Sequence, residues 1–207
     1  MLRRLRTLLR VVLEPARRGE WVTVVSGLPR SGTSMMMKML EAGGLSAVTD
    51  GLREADTDNP RGYYELERVK RLRDGDVTWV AEAHGHAVKV ISELLRYLPA
   101  DHDYRVIFMR RDLDEVLASQ RRMLAHRGVE PDDEADVRLA GLYDRHLAEV
   151  AAWLSRQSNM RVLDVYYNDL LARPRDSADR VARFLGGRLR VDRMAAVIDP
   201  SLYRQRA

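Results

Sequence analysis

The stretch VVSGLPRSGTSMMMKML, Val24 to Leu40, reads as strand, turn and helix in a row. The apolar strand begins at Trp21 and runs to Ser26, and the helix spans Gly32–Ala42. The turn between them has the makings of an anion cradle. The first N–H groups of a helix have no intrahelical partner and carry the positive end of its dipole. Gly27 and Gly32 permit tight curvature without a Cβ clash. Ser31, Thr33 and Ser34 add hydroxyl donors. Arg30 supplies a forked charge suited to phosphate or sulfate oxygens. Gly27 and Gly32 have the spacing of the nucleoside-triphosphate loop G-x-x-x-x-G-K-[ST], but Thr33 stands where that loop has its lysine. Met35, Met36, Met37 and Met39 read as core packing.

Outward from this stretch, three further apolar runs stand out: Ala87–Ile91, Tyr104–Met109 and Arg161–Tyr166. Near-continuous runs of this kind suit strands buried on both faces of a parallel sheet. Helical stretches follow each. Ser92–Leu98 stops at Pro99, Asp112–Leu124 has Asp112 as its N-cap, and Arg173–Leu185 ends at Gly186-Gly187. The alternation predicts an α/β fold, a P-loop-like three-layer domain with a short, mainly parallel sheet flanked by helices. Ligands of such sheets bind beyond the carboxyl ends of the strands. Residues 1–207 are read as a single domain. Two segments break the alternation. Asp50–Tyr64 reads as a polar loop, and Ala135–Arg156 as a long helix after the acidic turn Val129–Glu134. Segments 50–67 and 127–157 are candidate lids.

A second anion-binding candidate lies in YRVIFMRRDLDEVLASQRRML, Tyr104 to Leu124. Arg110 and Arg111 stand at the carboxyl end of the strand, and Ser119 lies about two turns into the helix. Arg111 and Ser119 can bracket one phosphate from two sides. The competing reading is a surface ion pair of Arg111 with Asp114 or Glu115.

Composition narrows the function classes. The chain has 45% hydrophobic residues, 32% charged residues and a formal net charge of +4, an ordinary globular balance compatible with an anionic ligand. Of 35 basic residues only Lys38, Lys70 and Lys89 are lysines, so a single arginine says less than a single lysine. No aromatic-interleaved basic patch or zinc-finger spacing points to nucleic acid. With no cysteine, disulfides and thiolate metal sites are excluded, and a reducing cytoplasm is the expected compartment. No apolar run approaches the roughly 20 residues that span a bilayer. Residues 1–20 read as a basic amphipathic helix, with Leu5, Leu8, Leu9 and Val12 on one side. Packing on the domain is its plainer role, and a weak membrane-surface contact is the alternative.

On these residues the chain resembles the sulfotransferase superfamily. Pro29-Arg30-Ser31-Gly32-Thr33 is similar to that family's 5′-phosphosulfate loop in the arginine form seen in bacterial members. Arginine, seven residues, then serine is its 3′-phosphate motif, which falls here on Arg111 and Ser119. Tyr167-Asn168-Asp169-Leu170-Leu171, with the helix after Pro174, resembles its Tyr-Glu-Asp-Leu segment, although Asn168 replaces the usual Glu. The resemblance implies 3′-phosphoadenosine 5′-phosphosulfate (PAPS) as co-substrate and no metal in the chemical step. It puts Tyr167 near the adenine and implies a hydroxyl acceptor, a small molecule or glycan in the first place, with a lipid or a peptide tyrosine also open. The chain lacks the C-terminal Arg-Lys-Gly segment of the steroid and phenol enzymes, which leaves one 3′-phosphate contact in doubt.

Sulfuryl transfer needs charge stabilisation and a base. Arg30 and the loop N–H groups suit the first need. Lys89 lies inside an apolar run, where a charge is costly unless paired. The resemblance matches it to the lysine of a Lys-Thr-His motif whose histidine this chain lacks, and a strand-edge lysine reaching solvent is the other reading. The base must then come from elsewhere. Asn59–Glu65 looks like a bacterial Asn-Pro-x-Gly-aromatic-aromatic-Glu segment, which makes Glu65 the first candidate and Glu54 the second. His84-Gly85-His86 invites a metal reading but has no third ligand, and reads as a polar turn. Two other function classes remain, a P-loop small-molecule kinase and a non-catalytic nucleotide-binding module.

Overall fold

The computed structural model describes residues 21–50, 64–126, 128, 130 and 132–198. The N-terminal basic segment, Glu54 and most of the 50–67 segment lie outside the described residues.

Four strands form one all-parallel sheet: β1 (Val22–Gly27), β2 (Ala87–Lys89), β3 (Tyr104–Arg110) and β4 (Met160–Tyr166), in the order β2-β1-β3-β4. The helices are α1 (Thr33–Gly43), α2 (Glu67–Lys70), α3 (Trp79–Glu82), α4 (Leu113–His126), α5 (Asp133–Leu154), α6 (Tyr167–Ala172), α7 (Pro174–Phe184) and α8 (Val191–Ala195). The α/β reading, the parallel sheet and its strand positions therefore agree with the sequence.

Each central strand is buried on both faces, which is why its sequence does not alternate. Val22, Val24, Val106 and Phe108 face a core that includes Trp79, Leu95, Val150 and Leu154. Val25, Ile107 and Met109 face the opposite core, with Met36, Met37, Met39 and Leu40 of α1, Val181 of α7 and Met194 of α8. The sheet thus lies between two helical layers. Val150 and Leu154 anchor the C-terminal half of α5 in the first core.

Three helical boundaries differ from the sequence reading. Ser92–Tyr97 is a 3-10 helix rather than an α-helix. Few residues separate β2 from Pro99, and such a short segment favours the tighter winding. The helix read at Arg173–Leu185 is α7, and the separate short α6 precedes it. Pro174 has no N–H and disfavours helical backbone at Arg173, so the chain breaks there and restarts with proline in its first turn. The long helix starts at Asp133 rather than Ala135, because the Asp132 side chain accepts the Ala135 N–H at 2.9 Å. Its first turn then holds Asp133, Glu134 and Asp136, carboxylates that the helix dipole favours.

The sheet order places the switch point between β1 and β3. The chain leaves β1 toward β2 on one side, then crosses to β3 on the other. A crevice opens where adjacent connections depart in opposite directions. Gly27 and Met109 are register partners at that crevice. Gly27 has φ 146, and a Cβ there would come within 2.6 Å of Ser31 Oγ and 2.7 Å of the Met109 carbonyl oxygen. Gly27→Ala is therefore expected to cost about 1–3 kcal/mol of stability from backbone strain alone. Urea denaturation measures this, and an unchanged midpoint would mean the loop does not approach β3 so closely.

Candidate functional site

The loop after β1 and the start of α4 after β3 meet at the crevice. Arg30 has φ 68, a left-handed conformation that non-glycine residues rarely adopt and that is held only by surrounding structure. Two hydrogen bonds supply the hold. Arg30 Nε donates to Ser119 Oγ at 2.9 Å, and Arg111 Nη1 donates to the Arg30 carbonyl at 3.0 Å. The structure thus brings together the three residues that the sequence placed in two separate motifs.

Beneath this contact lies a buried polar network. Arg111 Nε donates to Glu115 Oε2 at 2.9 Å, with side chains only 7% and 5% exposed. Asn168 Nδ2 donates to the other carboxylate oxygen of Glu115 at 3.1 Å. The Arg111 guanidinium stacks on the Tyr167 ring, 4.2 Å from its centroid. Burial pushes the Tyr167 phenol above its ordinary pKa, and neighbouring Arg111 opposes that rise. Tyr167 also packs against the loop, since a Cβ on Gly32 would lie 2.7 Å from Tyr167 Cδ2. The Arg111–Glu115 ion pair weighed from the sequence is formed, but it is buried rather than on the surface.

The two arginines at the end of β3 part company. Arg110 pairs across the sheet with Asp164 of β4 at 2.7 Å, so only Arg111 reaches the crevice. Ser31 also differs from its expected use. Its hydroxyl is buried and donates to the Leu28 carbonyl at 2.7 Å, closing the turn, so its side chain braces the loop. At the start of α1, Gly32 is the N-cap and no side chain caps the helix. The first amides of a helix point along its axis at the positive end of the dipole, the arrangement that suits an anion.

A second group gathers at β2. Lys89 pairs in register with Val25, two residues before Gly27. Its side chain is 11% exposed, and Nζ lies 3.6 Å from Glu65 Oε1. Lys70 Nζ approaches the other Glu65 oxygen at 3.8 Å. The Glu65 carbonyl accepts the Thr49 hydroxyl at 2.8 Å and the Asp50 N–H at 3.3 Å. Beside it, the Tyr64 hydroxyl donates to Glu41 at 2.5 Å, and burial raises the Tyr64 pKa, as does that bond. Two candidates chosen separately from the sequence, Lys89 and Glu65, therefore form an ion pair. The largely buried lysine does not reach freely into solvent.

Three polar residues escaped the sequence reading or were set aside by it. Glu115 had a usable signal, its i+4 spacing from Arg111. Asn168 was noted only as a departure from a pattern. His146 of α5 had none, and Nε2 is hydrogen bonded to the buried Ser92 hydroxyl at 2.8 Å, 54 residues away. His84 and His102 are hydrogen bonded to each other at 2.8 Å, ahead of β2 and β3 and so at the opposite end of the sheet. Among the described residues no group of three or more His, Cys, Asp or Glu side chains is disposed to hold a metal ion.

Residues 63–190, more than half of the chain, match the model of a sulfotransferase family. The match begins downstream of the Gly27–Ser34 loop and includes β3, α4 and α6. No curated protein matches the chain. Among solved structures, the chain is similar to the sulfotransferase STF9 from Mycobacterium avium, with 14% identity, 92% of this chain and 70% of that one covered, and a TM-score of 0.53. It is also similar to the sulfotransferase domain of the Synechococcus PCC 7002 olefin synthase, with 16% identity, 92% and 85% covered, and a TM-score of 0.51. At such identities these structures share the fold, and it is the family match over β3, α4 and α6 that carries the assignment: the chain belongs to the sulfotransferase family.

Proposed function

We propose that this sulfotransferase moves a sulfuryl group from PAPS to the hydroxyl of a small-molecule or glycan acceptor by in-line displacement. The observation that carries the reading is the joined unit of Arg30, Ser119 and Arg111 at the adjacent ends of β1 and β3. We place one doubly phosphorylated nucleotide here, with its 5′ end on the loop and its 3′-phosphate near Arg111 and Ser119. Gly32, Thr33 and Ser34 contribute the start of α1, Ser31 braces the turn, and Tyr167 lies against both Arg111 and Gly32 as a platform near the adenine.

In the transfer, the acceptor oxygen bonds to sulfur while the bond from sulfur to the bridging oxygen breaks. Negative charge grows on the departing adenosine 3′,5′-bisphosphate, where Arg30 and the loop N–H groups meet it. Glu65 takes the acceptor proton. Lys89, its ion-pair partner, orients the carboxylate and faces the sulfuryl oxygens. Thr33 in place of a loop lysine weighs against the kinase reading. No helix among the described residues is long and apolar enough to cross a membrane. The cytoplasm is the compartment we propose for the reaction.

Three measurements test the reading. Sulfur-labelled PAPS incubated with a library of hydroxyl compounds is expected to label at least one, whereas transfer from γ-labelled ATP would make the protein a kinase. Tight bisphosphate binding with no turnover would make it a nucleotide-binding module. Arg111→Ala should weaken adenosine 3′,5′-bisphosphate by about tenfold to a hundredfold, the effect of losing charge-assisted hydrogen bonds, and AMP much less. Because Arg111 also holds the Arg30 carbonyl, some loss for AMP is expected; equal losses in calorimetry would mean that Arg111 acts only through the loop, and would remove the 3′-phosphate from it. Glu65→Gln should lower kcat about a hundredfold or more, as expected for a lost general base, with donor Kd nearly unchanged. Unaltered turnover would move the base to Glu54 or to a histidine.

A further inference from the structure

Arg111 is fixed by contacts that use part of its guanidinium. Its Nε donates to Glu115, one Nη1 hydrogen goes to the Arg30 carbonyl, and its face rests on Tyr167. A guanidinium has five N–H donors in one plane. With its plane set by the ring and its rotation by these two bonds, the remaining donors are held in a fixed orientation. Glu115 cannot set that rotation alone. A carboxylate on a helix pivots about its own χ angles, and here its second oxygen is held by Asn168 Nδ2, from α6, at 3.1 Å. The Glu115 side chain is 5% exposed, a cost in desolvation that only a paired and hydrogen-bonded carboxylate avoids.

We propose that Glu115 and Asn168 are positioning residues that aim Arg111 at the nucleotide, and that their contacts set the preference for a 3′-phosphate. The inference rests on the PAPS reading above. It also explains the amide at position 168. A carboxylate there would face Glu115 across the same 3.1 Å and repel it, whereas the Asn168 amide donates. The pair opposes simple electrostatics, because Glu115 adds negative charge near the proposed phosphate. If charge alone mattered, removing it would tighten bisphosphate binding. If aim matters more, removing it loosens binding.

The test is the ratio of Kd for AMP to Kd for adenosine 3′,5′-bisphosphate, measured by calorimetry on the full chain. Asn168→Ala is the cleaner variant, since position 168 is exposed and the change alters no charge. It is expected to lower the ratio about threefold to tenfold with AMP affinity unchanged. Glu115→Ala should lower the ratio more than tenfold, and Glu115→Asp, which keeps the charge on a shorter arm, should recover part of the loss. Thermal melts identify a Glu115 variant that fails to fold, in which case Asn168→Ala decides. A merely structural role would weaken both ligands together. A ratio that is unchanged in Asn168→Ala, or that rises in Glu115→Ala, overturns the inference. If the parent protein itself shows no preference for the bisphosphate, the PAPS reading fails and this inference fails with it.

Discussion

Arg111 donates one hydrogen bond to the carbonyl of Arg30, and much of the site hangs on that contact. It joins the end of β3 to the turn after β1 and props Arg30 in a left-handed backbone conformation that its own sequence does not favour. The Arg30 side chain then reaches Ser119, so each arginine depends on the other's element. The geometry requires β1 and β3 to be neighbours in register, with Gly27 opposite Met109. A strand inserted between them would separate the two motifs by roughly 5 Å more in the sheet, beyond hydrogen-bond reach.

Around this contact the molecule keeps its charges paired. Arg111 and Glu115 are nearly fully buried, and removing either partner from such a pair is more disruptive than the pair is stabilising. Asn168 and Tyr167 complete the shell from α6, which begins directly after β4. Thus three successive strand ends contribute: β1 the loop, β3 the arginine and its helix, β4 the tyrosine and asparagine. β2 adds the fourth, bringing Lys89 to Glu65. These residues sit at the carboxyl ends of the strands, where a parallel sheet leaves its crevice.

Legibility from sequence followed range. The loop from Gly27 to Ser34 was readable because a strand, a turn and a helix start adjoin in the chain. Arg111 and Ser119 were readable because one strand end and one helix fix their separation. The Glu115 carboxylate was visible only as one of two local partners for Arg111, and its burial was not visible at all. Asn168 meets Glu115 across 53 residues, and Ser92 meets His146 across 54. Neither pair leaves a periodicity or spacing that could announce it. Ser31 shows what residue type alone does not tell. Its residue type suits a ligand donor, but the tight turn directs its hydroxyl back to Leu28.

The sequence by itself determined the α/β class, the strand positions, the glycine-bounded turn after β1 and the arginine at the end of β3, because each follows from side-chain pattern and backbone preference over a few consecutive residues. Only the tertiary structure decided that the two motifs form one unit, that Arg110 turns to Asp164 while Arg111 turns inward, and that Lys89 pairs with Glu65. Those outcomes depend on strand order and on which face of each element is buried. Both are set by the packing of segments far apart in the chain, where no local rule reaches.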